Sequence, residues 1–227
     1  FNVPRIIAWL IGLLAGIHLF RLYGPVSDDD IIYYFAFIPA RLGGTLPTGD
    51  SFLEQGARYW TLVTYSFLHA DWLHWGFNSI WMLAFGTPVA RRLGASRFLL
   101  LSALGSIGGA LAYYLFHPNQ IAVLIGASAA VSAQVAAASR LIFARPAAEG
   151  AAGDRSTGRI RPLTLGETFT SRMPLMFILV WLGLKYVFGA SGVGLPAGEG
   201  LVAWEAHLGG FFAGLLLFGL FDRKTSL

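Results

Sequence analysis

The sequence predicts an all-α membrane protein: a single bundle of six transmembrane helices with both termini cytoplasmic. Three observations carry that prediction. The first is composition: of 227 residues, 56% are hydrophobic and only 12% charged, and the mean hydropathy is +0.62. Soluble domains carry about 25% charged residues, too large a share for this chain to match while covering a globule's surface. Disorder demands the opposite balance, low hydropathy with high charge. The second observation is a set of six long apolar runs, and the third is the uneven placement of charge around them. The chain has no cysteine, which removes disulfides, thiolate metal sites and cysteine nucleophiles together.

A bilayer core is crossed by about 20 predominantly apolar residues in a helix. Six stretches qualify: 5–23, 72–90, 96–116, 123–144, 173–190 and 201–221. They are long and continuous rather than alternating every second residue, which indicates helices and not barrel strands. The first run is too long for a signal peptide and lacks a small-residue cleavage site. Residues 24–71 are too long for a bare loop and carry Tyr33, Tyr34, Phe35, Phe37, Phe52, Tyr59 and Trp60. Such aromatic content predicts a segment folded into the outer membrane interface. Residues 145–172, rich in Ala, Gly, Arg and Pro, read as a flexible cytoplasmic linker. No internal repeat divides the chain, so residues 1–227 read as one membrane domain.

Charge orients the spans. Asp28, Asp29, Asp30, Asp50 and Glu54 lie between the first two runs, whereas Arg91, Arg92 and Arg97 follow the second. Arg145, Arg155, Arg159 and Arg161 follow the fourth, and Arg223 and Lys224 follow the sixth. Cationic residues mark the cytoplasmic side. With six crossings, twelve of the sixteen Lys and Arg fall inside and eight of the twelve acids outside. The formal charge of +4 is therefore orientation information, and no nucleic-acid partner is expected.

The residues that lipid should exclude come next. His74 and Asn78 stand four apart at the start of the second span, on one helix face. Ser128 lies near the start of the fourth, in Gly126-Ala127-Ser128-Ala129, and His207 near the start of the sixth. These three spans all run from outside to inside, so the four side chains share one depth, within about 10 Å of the outer helix ends. Singly, Ser128 reads as a close-packing residue and Asn78 as an interhelical hydrogen-bonder. His207 is ionisable inside a membrane and so marks a functional site by default. Gly210 and Gly214 permit a neighbouring helix to approach closely. His69 and His117, at span ends, read as ordinary boundary residues.

At these residues the chain resembles the rhomboid family of intramembrane serine proteases. The motifs are His69-x4-His74-x3-Asn78, Gly126-x-Ser128, and Ala206-His207-x2-Gly210-x3-Gly214. Phe35-Ala36-Phe37-Ile38-Pro39-Ala40-Arg41 and Tyr59-Trp60, with Thr64 through His69, are similar to small bacterial rhomboids. The resemblance covers nearly the whole chain. It implies Ser128 as nucleophile and His207 as general base. His74, Asn78 and the backbone N–H of Ser128 would form an oxyanion hole. It also implies a lateral gate between spans five and two, where Trp181 is either a gate residue or a lipid-facing aromatic. Three positions depart from the family pattern: Thr61 follows Trp60 where an arginine is usual, Ala129 replaces a second glycine, and Ser132 replaces an aromatic that supports the base.

The chemistry fits these residue types. A serine hydroxyl is a weak nucleophile until a base removes its proton. Neutral imidazole, with an ordinary pKa of about 6.5, serves near neutral pH. Glu205 lies two residues from His207, on another helix face, so a Ser–His dyad without a carboxylate is expected. No cofactor or metal is called for. The expected partners are the lipid bilayer and a membrane-protein substrate cut near the outer end of its span. The expected location is a bacterial inner membrane, with the site open to the periplasmic side. The alternatives are an inactive rhomboid-like protein that binds membrane clients for quality control or trafficking, a haem or metal protein using His69, His74, His117 and His207, and a transporter. For the metal reading, the five-residue step from His69 to His74 would turn those rings apart on a helix. A transporter would show paired broken helices at mid-membrane.

Overall fold

A computed structural model describes residues 2–46, 49, 51–146, 160–191 and 203–222. Helices occupy each of the six apolar stretches. They are α1 (Arg5–Tyr23), α5 (Trp72–Trp81) continuing through a π-turn (Met82–Gly86) into α6 (Thr87–Leu93), α7 (Ala95–Phe116), α8 (Ser128–Ile142), α10 (Arg172–Ser191) and α11 (Trp204–Phe221). Among the described residues, α1, α7 and α11 are long and apolar enough to cross a membrane. Large apolar side chains such as Leu13, Leu115, Leu179 and Leu220 are exposed on the outside of the bundle, as lipid-facing surfaces require.

The centre of the molecule is α8. Its side chains from Ala129 to Arg140 are all buried, so the helix is surrounded on every face. Its own side chains are mostly Ala and Ser, which lets neighbouring backbones come close. A Cβ added at Gly210 would overlap the Ala129 carbonyl, and one at Gly214 the Ala133 carbonyl. Those two contacts advance together by four residues, so α8 and α11 run parallel. On α7, Gly105 faces Ala133 and Gly109 faces Ala129, so α7 runs antiparallel to both. At 15 residues, α8 is about 22 Å long, shorter than the roughly 30 Å hydrocarbon core.

The fourth stretch begins later than its hydropathy predicts. Residues 123–127 are not helical. Leu124 instead exchanges backbone hydrogen bonds with Phe37 (3.2 and 2.9 Å), and Gly126 N–H donates to the Tyr65 carbonyl at 3.0 Å. Gly126 has φ +117°, a conformation open to glycine and costly for other residues. The apolar run is thus split into an extended entry strap and a buried helix.

Residues 24–71 fold locally, as their length requires. They contain α2 (Asp28–Phe35), α3 (Pro39–Gly43), α4 (Phe52–Thr64) and a 3-10 turn (Tyr65–Phe67). Polar side chains on backbone carbonyls hold them together: Trp60 Nε1 donates to Tyr34 O at 2.8 Å, Thr64 Oγ1 to Phe35 O at 2.8 Å, and Arg58 Nε to Arg41 O at 3.1 Å. Thr61, in the position where an arginine is usual, is buried and donates to its own helix at the Ala57 carbonyl (2.5 Å). The predicted linker 145–172 is structured at both ends, while 147–159 lies outside the described residues. Arg145–Pro146 pairs antiparallel with Ile160–Arg161, and α9 (Leu165–Thr170) starts with a Thr164/Glu167 capping box. Buried Arg140 clamps this end, donating to Leu163 O (2.7 Å) and Leu215 O (3.1 Å).

Candidate active site

Ser128 is the first residue of α8 and is half-buried. Backbone N–H groups in a helix's first turn have no partner within the helix, and the dipole there is positive. His207 lies in the first turn of α11 and is 3% exposed. Because α8 and α11 are parallel and Gly210 meets Ala129, Ser128 and His207 are offset by only about 3 Å along the helix axes. Nδ1 of His207 is buried with no hydrogen-bond partner among the described residues. Glu205 is turned elsewhere: its Oε1 lies 3.1 Å from His117 Nε2, tying the start of α11 to the end of α7.

α5 contributes the opposite wall. Asp71 caps it, Oδ1 accepting from the His74 N–H at 2.8 Å. The His74 ring lies against the entry strap, where a Cβ at Gly126 would come within 2.7 Å of both Cε1 and Nε2. Gly126 therefore serves two needs, the positive φ and room for this imidazole. His74 Nδ1 accepts from the Ala70 N–H at 3.4 Å, which leaves the proton of the neutral ring on Nε2, facing the strap. Asn78 is 5% exposed, and its Nδ2 donates to the His74 carbonyl at 2.9 Å. The second N–H of that amide remains available. Ser132 turns its hydroxyl back onto the Ser128 carbonyl at 2.8 Å, so this position braces the serine's own turn and offers no ring to the base.

His69, expected at the span boundary, lies in the interior instead. It is completely buried; its carbonyl accepts from Arg21 Nη1 at 2.6 Å and its Nε2 from the Ala127 N–H at 3.5 Å. Arg21 also pairs with Asp28 at 2.6 Å. His69 thus links α1 to the residue immediately before Ser128. Its ring also lies 5.1 Å from that of His74. The divergence expected from their spacing fails because residue 69 precedes the helix. Burial first, then the neighbouring His74 and His18, holds the His69 imidazole down to about 3. The unfolded chain takes up this proton below about pH 6.5 while the folded chain does not. The contribution of His69 is therefore intact above about pH 6.5 and drains as the pH falls toward 3. In thermal melts between pH 7 and 4.5, His69→Gln is expected to lose less melting temperature than wild type; an equal loss would exclude His69 as the source.

Two residues of α10 complete the surroundings. Trp181 is 6% exposed, which excludes the lipid-facing alternative. It packs edge-on against Trp81 at 4.9 Å and lies 5.9 Å from Phe85 at the π-turn. Lys185 was not singled out in the sequence, although a lone cation inside an apolar run is a legible signal. Its ammonium lies 4.8 Å from the centroid of the Trp181 ring.

Residues 56–224 match the Rhomboid domain family model. The chain belongs to the rhomboid family. Among its relatives, the putative rhomboid protease YdcA of Bacillus subtilis (strain 168) is 33% identical over 118 residues, covering 49% of this chain and 59% of that protein. The rhomboid protease GluP of the same organism is 37% identical over 82 residues, 36% of this chain and 15% of that protein. The rhomboid protease GlpG of Serratia proteamaculans (strain 568) is 24% identical over 194 residues, 85% of this chain and 54% of that protein. Each alignment therefore spans less than two thirds of the relative. Family membership agrees with the apolar helices in making this an integral membrane protein, and the rhomboid match runs from α4 to beyond the end of α11.

Proposed function

We propose that this rhomboid is an intramembrane serine endopeptidase that hydrolyses a peptide bond near the outer end of a membrane-protein substrate, using Ser128 and His207 as a dyad. One observation supports the reading above all: where α11 packs on α8 through Gly210, a buried histidine and a helix-N-terminal serine lie at nearly the same level. The protease names of YdcA, GluP and GlpG support it.

In the proposed reaction His207 takes the Ser128 hydroxyl proton as Oγ bonds to the scissile carbonyl carbon. The resulting oxyanion is met by the Ser128 N–H, His74 Nε2–H and the free Asn78 amide hydrogen. His207 then gives its proton to the leaving amine as the C–N bond breaks, leaving an acyl-serine. Water, deprotonated by His207, releases the acid and restores the hydroxyl. On the proposed topology, six spans with cytoplasmic termini, the serine would lie just below the outer surface, where water can enter. The short α8 supports this depth, because the strap before it lowers the helix start into the bundle. A substrate helix must unwind to expose a peptide bond, so segments with helix-weakening Gly, Pro or small residues are favoured. Trp181 and α10 would form the lateral entrance with α5.

The test is incubation of purified protein in lipid vesicles with a single-span reporter. Two fragments from a cut near the outer end are expected. No cleavage across several lipid compositions would favour the client-binding alternative, for which the unpartnered His207 Nδ1 and the missing aromatic at Ser132 are the motivating observations. His74→Ala and Asn78→Ala are each expected to lower kcat by about 10²–10³-fold, the usual effect of losing one oxyanion donor. Unchanged kcat in both would remove them from the oxyanion site.

A further inference from the structure

One charge within the helical bundle takes no part in that chemistry. The Lys185 ammonium lies 4.8 Å from the centroid of the Trp181 ring, one helical turn earlier on α10. Lys185 is half-buried, and among the described residues no carboxylate neutralises it. Trp81 meets Trp181 and Phe85 meets Phe177, so α10 runs antiparallel to α5, and Lys185, one turn beyond Trp181 on the same face, stands about level with Asn78.

Snorkelling does not account for this placement. α10 runs from Arg172 to Ser191, and on the proposed topology its C-terminal end is the outer one. A lysine near that end lowers its cost by sending its ammonium outward to the headgroups. Lys185 folds back over Trp181, toward the middle of the span. The cation–π contact recovers part of the desolvation cost, but a cation in such surroundings calls for a counter-charge. Direct help to the transition state is a poor explanation. Charge there separates into an oxyanion near His74 and an imidazolium at His207, so a cation that favours the one disfavours the other. Its leverage is greatest on a ligand group carrying net negative charge.

We propose that Lys185 is a specificity-determining residue that recognises a carboxylate of the substrate segment, an Asp or Glu side chain close to the scissile bond, as that segment enters past α10. This assignment rests on the protease reading above. Trp181, fixed against Trp81 and Phe85, holds the lysine stem at the entrance, and the incoming carboxylate supplies a counter-charge.

The test uses the full chain in vesicles and pairs of single-span reporters that differ only by Asp or Asn, the pair being walked through the positions flanking the cut. Wild type is expected to prefer the Asp member at one or more positions by about tenfold in kcat/KM, the scale of a charged hydrogen bond. Lys185→Met should bring that ratio to about one, and Lys185→Gln should do the same if the Met variant fails to fold. Lys185→Arg should keep the preference, and Lys185→Glu should favour a reporter with Lys at that position. Equal cleavage of Asp and Asn reporters by wild type, or an Asp preference that survives both neutral variants, overturns the role of Lys185 while leaving the protease reading intact. A wild type that neither cleaves any reporter nor reacts at Ser128 with a fluorophosphonate overturns the protease reading, and the assignment falls with it.

Discussion

Ser128→Ala and His207→Ala are each expected to abolish reporter cleavage, a loss of about 10⁶-fold in kcat, with the fold retained. Residues that act as one unit are not additive, so the double variant should be no slower than either single one. The expectation follows from the position of the pair. Ser128 has α8's free N–H groups around it, His74 and His69 have their ring nitrogens turned to the entry strap, and Glu205 is engaged with His117 at 3.1 Å. Removal of His207 leaves the hydroxyl unactivated, and removal of Ser128 leaves the histidine without a nucleophile to serve. Ser128→Ala removes a single oxygen and should melt near wild type, whereas His207→Ala empties the space of a buried ring and should melt somewhat lower while still folding. Residual cleavage in Ser128→Ala under chelating conditions would require a different nucleophile.

The second large effect concerns the contact of α11 on α8, which sets Ser128 and His207 at nearly the same level. Gly210→Val is expected to separate α8 from α11, because even a Cβ at this position overlaps the Ala129 carbonyl. Backbone cannot rotate aside as a flexible side chain can. Overpacking of this kind costs about 1–3 kcal/mol, and a misplacement of about 1 Å at the chemistry costs about 10²-fold in rate. Activity should therefore fall further than the loss of stability alone would imply. Gly183→Ala on α10 is the matched control, since a Cβ there meets nothing within 4 Å. Thermal melting together with cleavage rate checks both. A Gly210→Val protein with wild-type rate and melting temperature would refute the close packing of these helices.

The parts of this site that could be read from the sequence are those carried by residue type at helical spacing. His74 and Asn78, four apart, do share the wall of α5, and Gly210 and Gly214 do meet the backbone of α8. The helix starts were harder. Residues 123–127 are as apolar as the helix that follows, and only their pairing with Phe37 and the positive φ of Gly126 end the apparent span early. Such strap contacts, Phe37 with Leu124 and Tyr65 with Gly126, join residues far apart in sequence, beyond any local pattern. His69 was missed for the same reason, since its partners Arg21 and Ala127 are distant in the chain and its own neighbours look like an ordinary loop. Lys185 is different. Its charge was visible, but the direction of a flexible side chain, inward over Trp181 or outward to the headgroups, is settled by tertiary packing.

The central claim is that Ser128 is a nucleophile activated by His207. Its most direct measurement is reaction of the purified, membrane-reconstituted chain with a fluorophosphonate, followed by mass spectrometry of the peptides. One adduct is expected, on Ser128, and it should disappear in His207→Ala. A wild type that acquires no adduct, or acquires it on Ser132 or Ser139 with Ser128 unmodified, would contradict it.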